Sequence, residues 1–252
     1  MLWITRNNIV KDLFSTNSEL YQQARPSYPQ ILIETILSQV KQTDCAWDCG
    51  AGSGQFTKLL SPYFSNVYAT DLSQNQLEQA PVFENVEYSV QKAEQTNFKD
   101  NSFDLITVAQ AIHWFNFDLF YEEVRRTLKK DGLIAVVGYG LLTIEDLEVN
   151  EAVQTLYKQT LNGFWDAERR YIEEEYKTIP FPFNELDVPE LEMSYFWTGE
   201  QLIDYLKTWS ALKNYAKSHV NDPLNEVVKV LKNRTTTLHI KFPILLRMGK
   251  VS

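Results

Sequence analysis

The sequence predicts an α/β fold: a doubly wound, mostly parallel sheet of seven strands, helices on both faces, and a helical lid inserted in the C-terminal part. Three observations carry this. Short apolar runs alternate with helical patterns between residues 45 and 139, as in a parallel sheet covered on both sides. The first of these runs leads into three alternating glycines and then a helix. Beyond Gly140 the helical segments are too many to cover one sheet face, and some of them are expected over the carboxyl ends of the strands, where open α/β sheets bind ligands.

The elements follow in order. Residues 1–44 hold an arm and a first helix at about 30–40, with Ile33, Ile36, Leu37 and Val40 on one face. The arm ends in Tyr21-Gln-Gln-Ala-Arg25-Pro-Ser-Tyr28-Pro29, which two prolines make extended and stiff. Cys45–Cys49 is the first strand, and Phe56, Leu59 and Leu60 mark the helix after the glycines. Asn66–Asp71 is the second strand, and Ser73 with Gln76 forms a capping box for the next helix. Val86–Lys92 and Phe103–Ala109 are the third and fourth strands. A helix at 117–129 turns Phe117, Phe120, Val124 and Leu128 inward, Gly132 ends it, and Leu133–Tyr139 is the fifth strand. The spacing of Val149, Val153, Leu156 and Thr160 predicts a helix over 147–175, followed by a strand at Glu190–Trp197. Thr198 and Gln201 form a second capping box, opening a helix with Leu202, Leu206, Trp209 and Lys213 in register. A short helix near 223–232 and a last strand, Thr237–Leu246, complete the chain.

Composition narrows the partners. The 33 acidic against 24 basic residues give a net charge of −9, which argues against nucleic acid and against an anionic membrane surface, since both are held by clustered Lys and Arg. The longest uncharged runs, Leu105–Phe117 and Gly132–Ile144, fall short of the roughly 20 residues of a spanning helix. No signal-peptide pattern follows Met1, so a cytoplasmic protein is expected and the sequon at Asn233 is read as without a role. Cys45 and Cys49, the two cysteines, sit too close on one extended strand for a normal bridge and are read as reduced thiols. No further ligands stand at metal-site spacing. The expected partner is a small molecule, and the chain a monomer or homodimer.

The most informative segment is Asp48-Cys-Gly50-Ala-Gly52-Ser-Gly54-Gln-Phe56. Glycines let a ligand approach the backbone and accept positive φ; a plain tight turn needs one and leaves two unexplained. Dinucleotide sites use G-x-G-x-x-G to set a pyrophosphate on the helix N-terminus. Here the spacing is G-x-G-x-G, and Asp48 would repel a pyrophosphate. A carboxylate in that place suits an ammonium group, such as that of S-adenosyl-L-methionine. Asp71, at the tip of the second strand, can accept hydrogen bonds from both ribose hydroxyls, with Leu72 packing on adenine. After the third strand, the amide of Ala93 and the carboxylate of Glu94 are placed to read the adenine edge.

With these pieces in order, together with Ser102-Phe-Asp-Leu-Ile106 and Lys130-Asp-Gly-Leu133, the chain resembles a class I, Rossmann-like S-adenosylmethionine-dependent methyltransferase. Tyr21-x3-Arg25-Pro-x-Tyr28-Pro29, Ala111-Ile-His113-Trp114-Phe115 and Lys207-Thr-Trp209-Ser-Ala211 resemble more narrowly the trans-aconitate-type, or type 11, small-molecule methyltransferases; residues 141–190 fit that group poorly. The resemblance implies a single domain: a cofactor-binding core at 45–139, a helical lid and substrate region at 140–235, and a final strand within 236–252. It also implies a lid role for Tyr21, Arg25 and Tyr28, closing on the methionine part of the cofactor and on the acceptor, and cofactor contacts at Gln110 and Ala111.

Methyl transfer needs alignment and exclusion of water more than acid–base help. An ionised carboxylate needs no base, whereas a phenol, amine or carbon acceptor often does. His113 is either a packing residue or a group beside the reacting centre. Trp114 is either a wall of the acceptor pocket or core, and Trp209 is read as core. Arg25 is the first choice for an anionic acceptor, because its fork matches a carboxylate; Tyr28, Tyr139 and Trp165 complete the expected acceptor set. Three functions remain in view: methylation of a small carboxylic acid, C- or O-methylation of a quinone or phenol, and cofactor binding without catalysis. A nicotinamide dehydrogenase is disfavoured by the glycine spacing.

Overall fold

The computed structural model describes residues 24–232 and 234–251. Tyr21 and Asn233 lie outside the described residues. Five parallel strands make the centre of the sheet: β1 (Cys45–Cys49), β2 (Asn66–Asp71), β3 (Val86–Val90), β4 (Phe103–Ala109) and β5 (Leu128–Tyr139), in the spatial order β3-β2-β1-β4-β5. Direction of travel reverses between β1 and β4. Two short strands, β6 (Thr143–Ile144) and β7 (Asn184–Leu186), and β8 (Leu191–Trp197) all pair antiparallel with the last strand, β9 (Leu238–Lys250). Strand β9 also runs antiparallel to β5. Met248 pairs with Ala135 on one side and Leu186 on the other, so β9 is buried between partners along its second half.

Among the described residues the sheet thus has nine strands where seven were expected. The additional β6 and β7 are two and three residues long, too short for alternation to register. Strand β9 continues past Leu246 because Arg247 is satisfied inside the sheet region. Its guanidinium donates to both Glu185 oxygens and to the Tyr176 and Ile179 carbonyls.

Alternation along the central strands sorts the core into two layers. Leu105, Leu133, Ala135 and Val137 face α1 (Gln30–Leu37) and α2 (Gln55–Leu60), while Ile106, Val108, Ile134 and Val136 face the other side. The short α3 (Gln74–Leu77) follows β2, and α4 (Phe117–Thr127) covers the second layer with Phe120 and Val124. The Asn116 side chain caps α4 by accepting from Leu119 N, and Asp118 and Arg125–Arg126 match its dipole at either end. Gly132 does not end this helix. The chain is already extended from Leu128, whose side chain fills the space beside Gly132.

The region after β6 departs most from expectation. Instead of one helix over 147–175, α5 (Leu147–Thr155) runs into a wide turn at Leu156–Thr160. Gly163 then breaks the path at φ +82 before a single tight turn at Ala167–Arg169 and α6 (Arg170–Glu173). The capping box at Thr198–Gln201 is present and opens α7 (Gly199–Lys207). Trp209, extended at ψ 129, separates it from α8 (Ser210–Ala216), so Lys213 belongs to a different helix from Leu202. With α9 (Asn225–Leu231), these helices pack largely on the first apolar layer. Ile172, Tyr176 and Ile179 cross to the second.

Candidate active site

A cleft of about 380 Å³ opens at the carboxyl ends of β1 to β5, over the reversal between β1 and β4, where a doubly wound sheet leaves its loops splayed. Its floor is the first part of the glycine turn, Gly50 to Ser53, whereas Gly54, expected to touch the cofactor, packs against Ala80, Pro81 and Tyr88 instead of lining the cleft. Gly50, Gly52 and Gly54 all have positive φ, at 72°, 56° and 76°, so each is required by the backbone. Gly52 is also open to the cleft: a Cβ there would meet nothing nearer than Gln76 Oε1 at 3.9 Å. The turn is tied to the end of β2. Gly50 N and Ala51 N donate to the Thr70 carbonyl at 2.8 and 2.9 Å, and Gly52 N donates to Asp71 Oδ2 at 2.9 Å.

Asp71 therefore ties the glycine turn to the end of β2. Its second oxygen accepts the Ser73 N–H at 2.8 Å, and the Ser73 hydroxyl makes no cap bond. The capping box expected at Ser73–Gln76 is absent, and Asp71 supplies the turn. Burial raises the Asp71 pKa against the opposing pull of these amide donors. Asp48 is buried beneath the cleft, accepting from Thr57 Oγ1 at 2.6 Å and Thr107 Oγ1 at 2.9 Å. Burial outweighs the two hydroxyls and pushes its pKa up to about 6. Phe56 and Ala111 are also in the wall, as is Leu72, which is 42% exposed. Ala93 and Glu94 line it too, with Glu94 Oε1 accepting from Asn116 N at 3.0 Å.

Tyr28 lines the cleft, edge-on to the Phe56 and Tyr139 rings at 5.3 and 6.1 Å. Its hydroxyl is buried with no hydrogen-bond partner among the described residues. Arg25 Nη1 donates to the Tyr139 hydroxyl at 3.0 Å. Arg25, Gln110 and Trp114 line both the cleft and a second cavity of about 90 Å³. Gln110 stands between them in the left-handed region at φ 55, held by Val137 O and Tyr139 O.

The second cavity gathers His113, Trp165, Asp166, Arg169, Trp209 and Lys213. His113 opens on this cavity and not on the cleft. Burial, and then the charges of Arg169 and Arg25, lower its pKa to about 3. Trp165 rests on Tyr157 and under the Arg169 guanidinium, 5.0 Å from its ring. Burial and the nearby Arg25 hold Lys213 below the ordinary lysine range. Arg169, Lys213 and Asp166 were not singled out by sequence as site residues. The available signal was a lysine on the otherwise apolar face of its predicted helix.

Residues 47–136 match the methyltransferase domain family. A Dictyostelium discoideum protein described as a methyltransferase is 34% identical over 249 residues, covering 95% of each chain. The solved structure of a protein from Anaeromyxobacter dehalogenans, described as a type II methyltransferase, superposes with a TM-score of 0.83. It is 36% identical and covers 90% of this chain and 97% of its own. A Saccharomyces cerevisiae protein described as an S-adenosylmethionine-dependent methyltransferase is 25% identical over 81% of this chain and 82% of its own.

The chain belongs to the S-adenosylmethionine-dependent methyltransferases.

The cleft of this methyltransferase fits that cofactor. Its size lies within the ~300–1,000 Å³ of small-ligand sites. The missing Cβ at Gly52 leaves room against the backbone, and an exposed leucine offers an apolar surface for a flat ring. The two carboxylates suit an ammonium and a pair of hydroxyls better than a phosphate. Among the described residues no helix is long and apolar enough to cross a membrane.

Proposed function

We propose that this methyltransferase esterifies a small organic acid. Asp48 faces the ammonium of the bound cofactor, Asp71 its ribose hydroxyls, Leu72 its adenine, and Ala93 and Glu94 the adenine edge. The cofactor supplies an electrophilic sulfonium methyl group, which an ionised carboxylate takes by displacement without first losing a proton. The protein's work is then to hold that carboxylate in line and exclude water. Residues 140–235 act as the acceptor-binding lid.

The observation that carries the reading is the charge of the second cavity. Among the described residues, Arg25, Arg169 and Lys213 line it together with the carboxylate Asp166, which accepts from Ser210 Oγ at 2.9 Å. Cations brought together in a partly buried cavity favour an anion between them; burial first, and then the charge of Arg25, lower the Lys213 pKa, and an anion beside them offsets both. Arg25 belongs to both chambers and so holds the acceptor at the boundary. His113 is a poor base for a phenol, because burial and then the charges of Arg169 and Arg25 lower its pKa to about 3.

Arg25→Lys keeps the charge and loses the bidentate fork. It is expected to raise the acceptor KM by roughly 10-fold or more, with a much smaller effect on cofactor Kd. A variant that weakens only cofactor binding overturns this placement of the acceptor.

A further inference from the structure

Tyr176 is held in an unusual way. It has φ +60 and follows Glu175 at φ +55, a left-handed pair that side chains disfavour and that persists only where surrounding contacts over-determine it. Those contacts are present. The ring is fully buried and fills the notch over Gly138, where an added Cβ would lie 2.6 Å from a ring carbon. Arg247 Nη1 donates to the Tyr176 carbonyl at 2.9 Å. The hydroxyl so fixed lies 3.4 Å from His113 Nδ1.

Burial decides where the proton sits. Among the described residues, the Tyr176 hydroxyl has His113 as its hydrogen-bond partner. If Nδ1 carried the hydrogen, the phenolic O–H would be buried with no acceptor, a costly arrangement. With the phenol donating, the imidazole hydrogen sits on Nε2. That nitrogen lies across the ring from Nδ1, and His113 lines the second cavity together with Arg25, Arg169 and Lys213.

We infer that Tyr176 is a positioning residue that fixes His113 in its Nε2–H form, so that His113 meets the acceptor as a neutral hydrogen-bond donor and not as a base. The inference rests on the esterification reading for the identity of the acceptor alone. An ionised carboxylate offers no proton to remove and accepts an N–H. Burial first, and then the positive charges of Arg169 and Arg25, oppose ring protonation, and Asp166 is engaged by Ser210.

The test is the histidine nitrogen spectrum of the whole protein labelled with 15N-histidine. With three histidines in the chain, His113→Gln identifies the signals. The expected pattern is an unprotonated Nδ1 and a protonated Nε2, unchanged from pH 7.5 to 5.5. An Nδ1–H form, or a ring that gains a proton in that interval, overturns the inference, and this reading needs no variant of Tyr176 that folds. Tyr176→Phe, if folded, is expected to mix the two forms and to raise the acceptor KM roughly 2- to 12-fold, with kcat little changed. An unchanged tautomer in that variant also overturns it. In His113→Gln the amide N–H stands near the Nε2 position, so kcat should stay within about 10-fold of wild type. A loss of 100-fold or more, the scale of a missing base, contradicts the donor role. If the tautomer is as stated and the product is not an ester, the acceptor assignment fails and the Tyr176–His113 arrangement stands.

Discussion

Asp71→Ala separates two jobs that one carboxylate performs. Its oxygens accept from Gly52 N at 2.9 Å and Ser73 N at 2.8 Å. An anionic oxygen has a further lone pair to offer, so each remains able to take a ribose hydroxyl. Removing the side chain costs the protein one anchor of the glycine turn, at Gly52 N, and one of the turn after β2, at Ser73 N. The carboxylate borders an open cleft and water can replace it, so about 0.5–1 kcal/mol each is appropriate. The sum, about 1–2 kcal/mol, corresponds to a fall in Tm of roughly 2–8 °C for a chain of this size. Cofactor binding loses more, because hydrogen bonds to a charged group are worth about 1.5–3 kcal/mol, or roughly 10- to 150-fold in Kd. Isothermal titration with S-adenosylhomocysteine, alongside thermal unfolding of the free protein, measures both. Asp71→Asn keeps the shape and one acceptor but not the charge, and its Kd should rise within the same range while Tm falls less. A folded Asp71→Ala variant with wild-type Kd refutes the ribose assignment. If the Ala variant binds weakly and the Asn variant binds normally, the carboxylate matters only for turn geometry.

Gly52→Val places a branched side chain at φ +56 and directs it into the open cleft; S-adenosylhomocysteine binding should vanish by titration while circular dichroism stays that of a folded protein, and retained binding contradicts the floor assigned to this turn. Asp48 gives two opposite pH trends. Its folded pKa of about 6 lies above the unfolded value, so its contribution to ligand-free stability is unfavourable above about pH 6 and is relieved as pH falls toward 4. Cofactor binding needs the ionised form to face an ammonium, so Kd should rise as pH falls below about 6, and Asp48→Asn should abolish that dependence; a pH-independent wild-type Kd contradicts the pairing. Lys213→Met should raise the acceptor KM, and it should leave cofactor Kd unchanged because Lys213 borders only the second cavity.

The cofactor half was readable because its signals are local. Asp48, the three glycines, Asp71, Ala93 and Glu94 each sit at or just past a strand end, and parallel pairing brings strand ends together. The same locality misled at Ser73, where a capping box on paper yielded to a carboxylate two residues earlier. The second cavity was not readable in the same way. Arg169 and Lys213 approach through a broken path at Gly163 and an extended Trp209, and the face each presents is set by packing on distant strands. Tyr176 depends on an absent side chain at Gly138 and on Arg247, far along the sequence. No short pattern encodes such a meeting.

The central claim is a methyl group placed on a carboxylate oxygen. The protein, methyl-labelled S-adenosylmethionine and a set of small di- and monocarboxylic acids should give a labelled product that mild base converts to volatile methanol. Label that stays bound through base treatment, on carbon, nitrogen or a phenolic oxygen, contradicts the account.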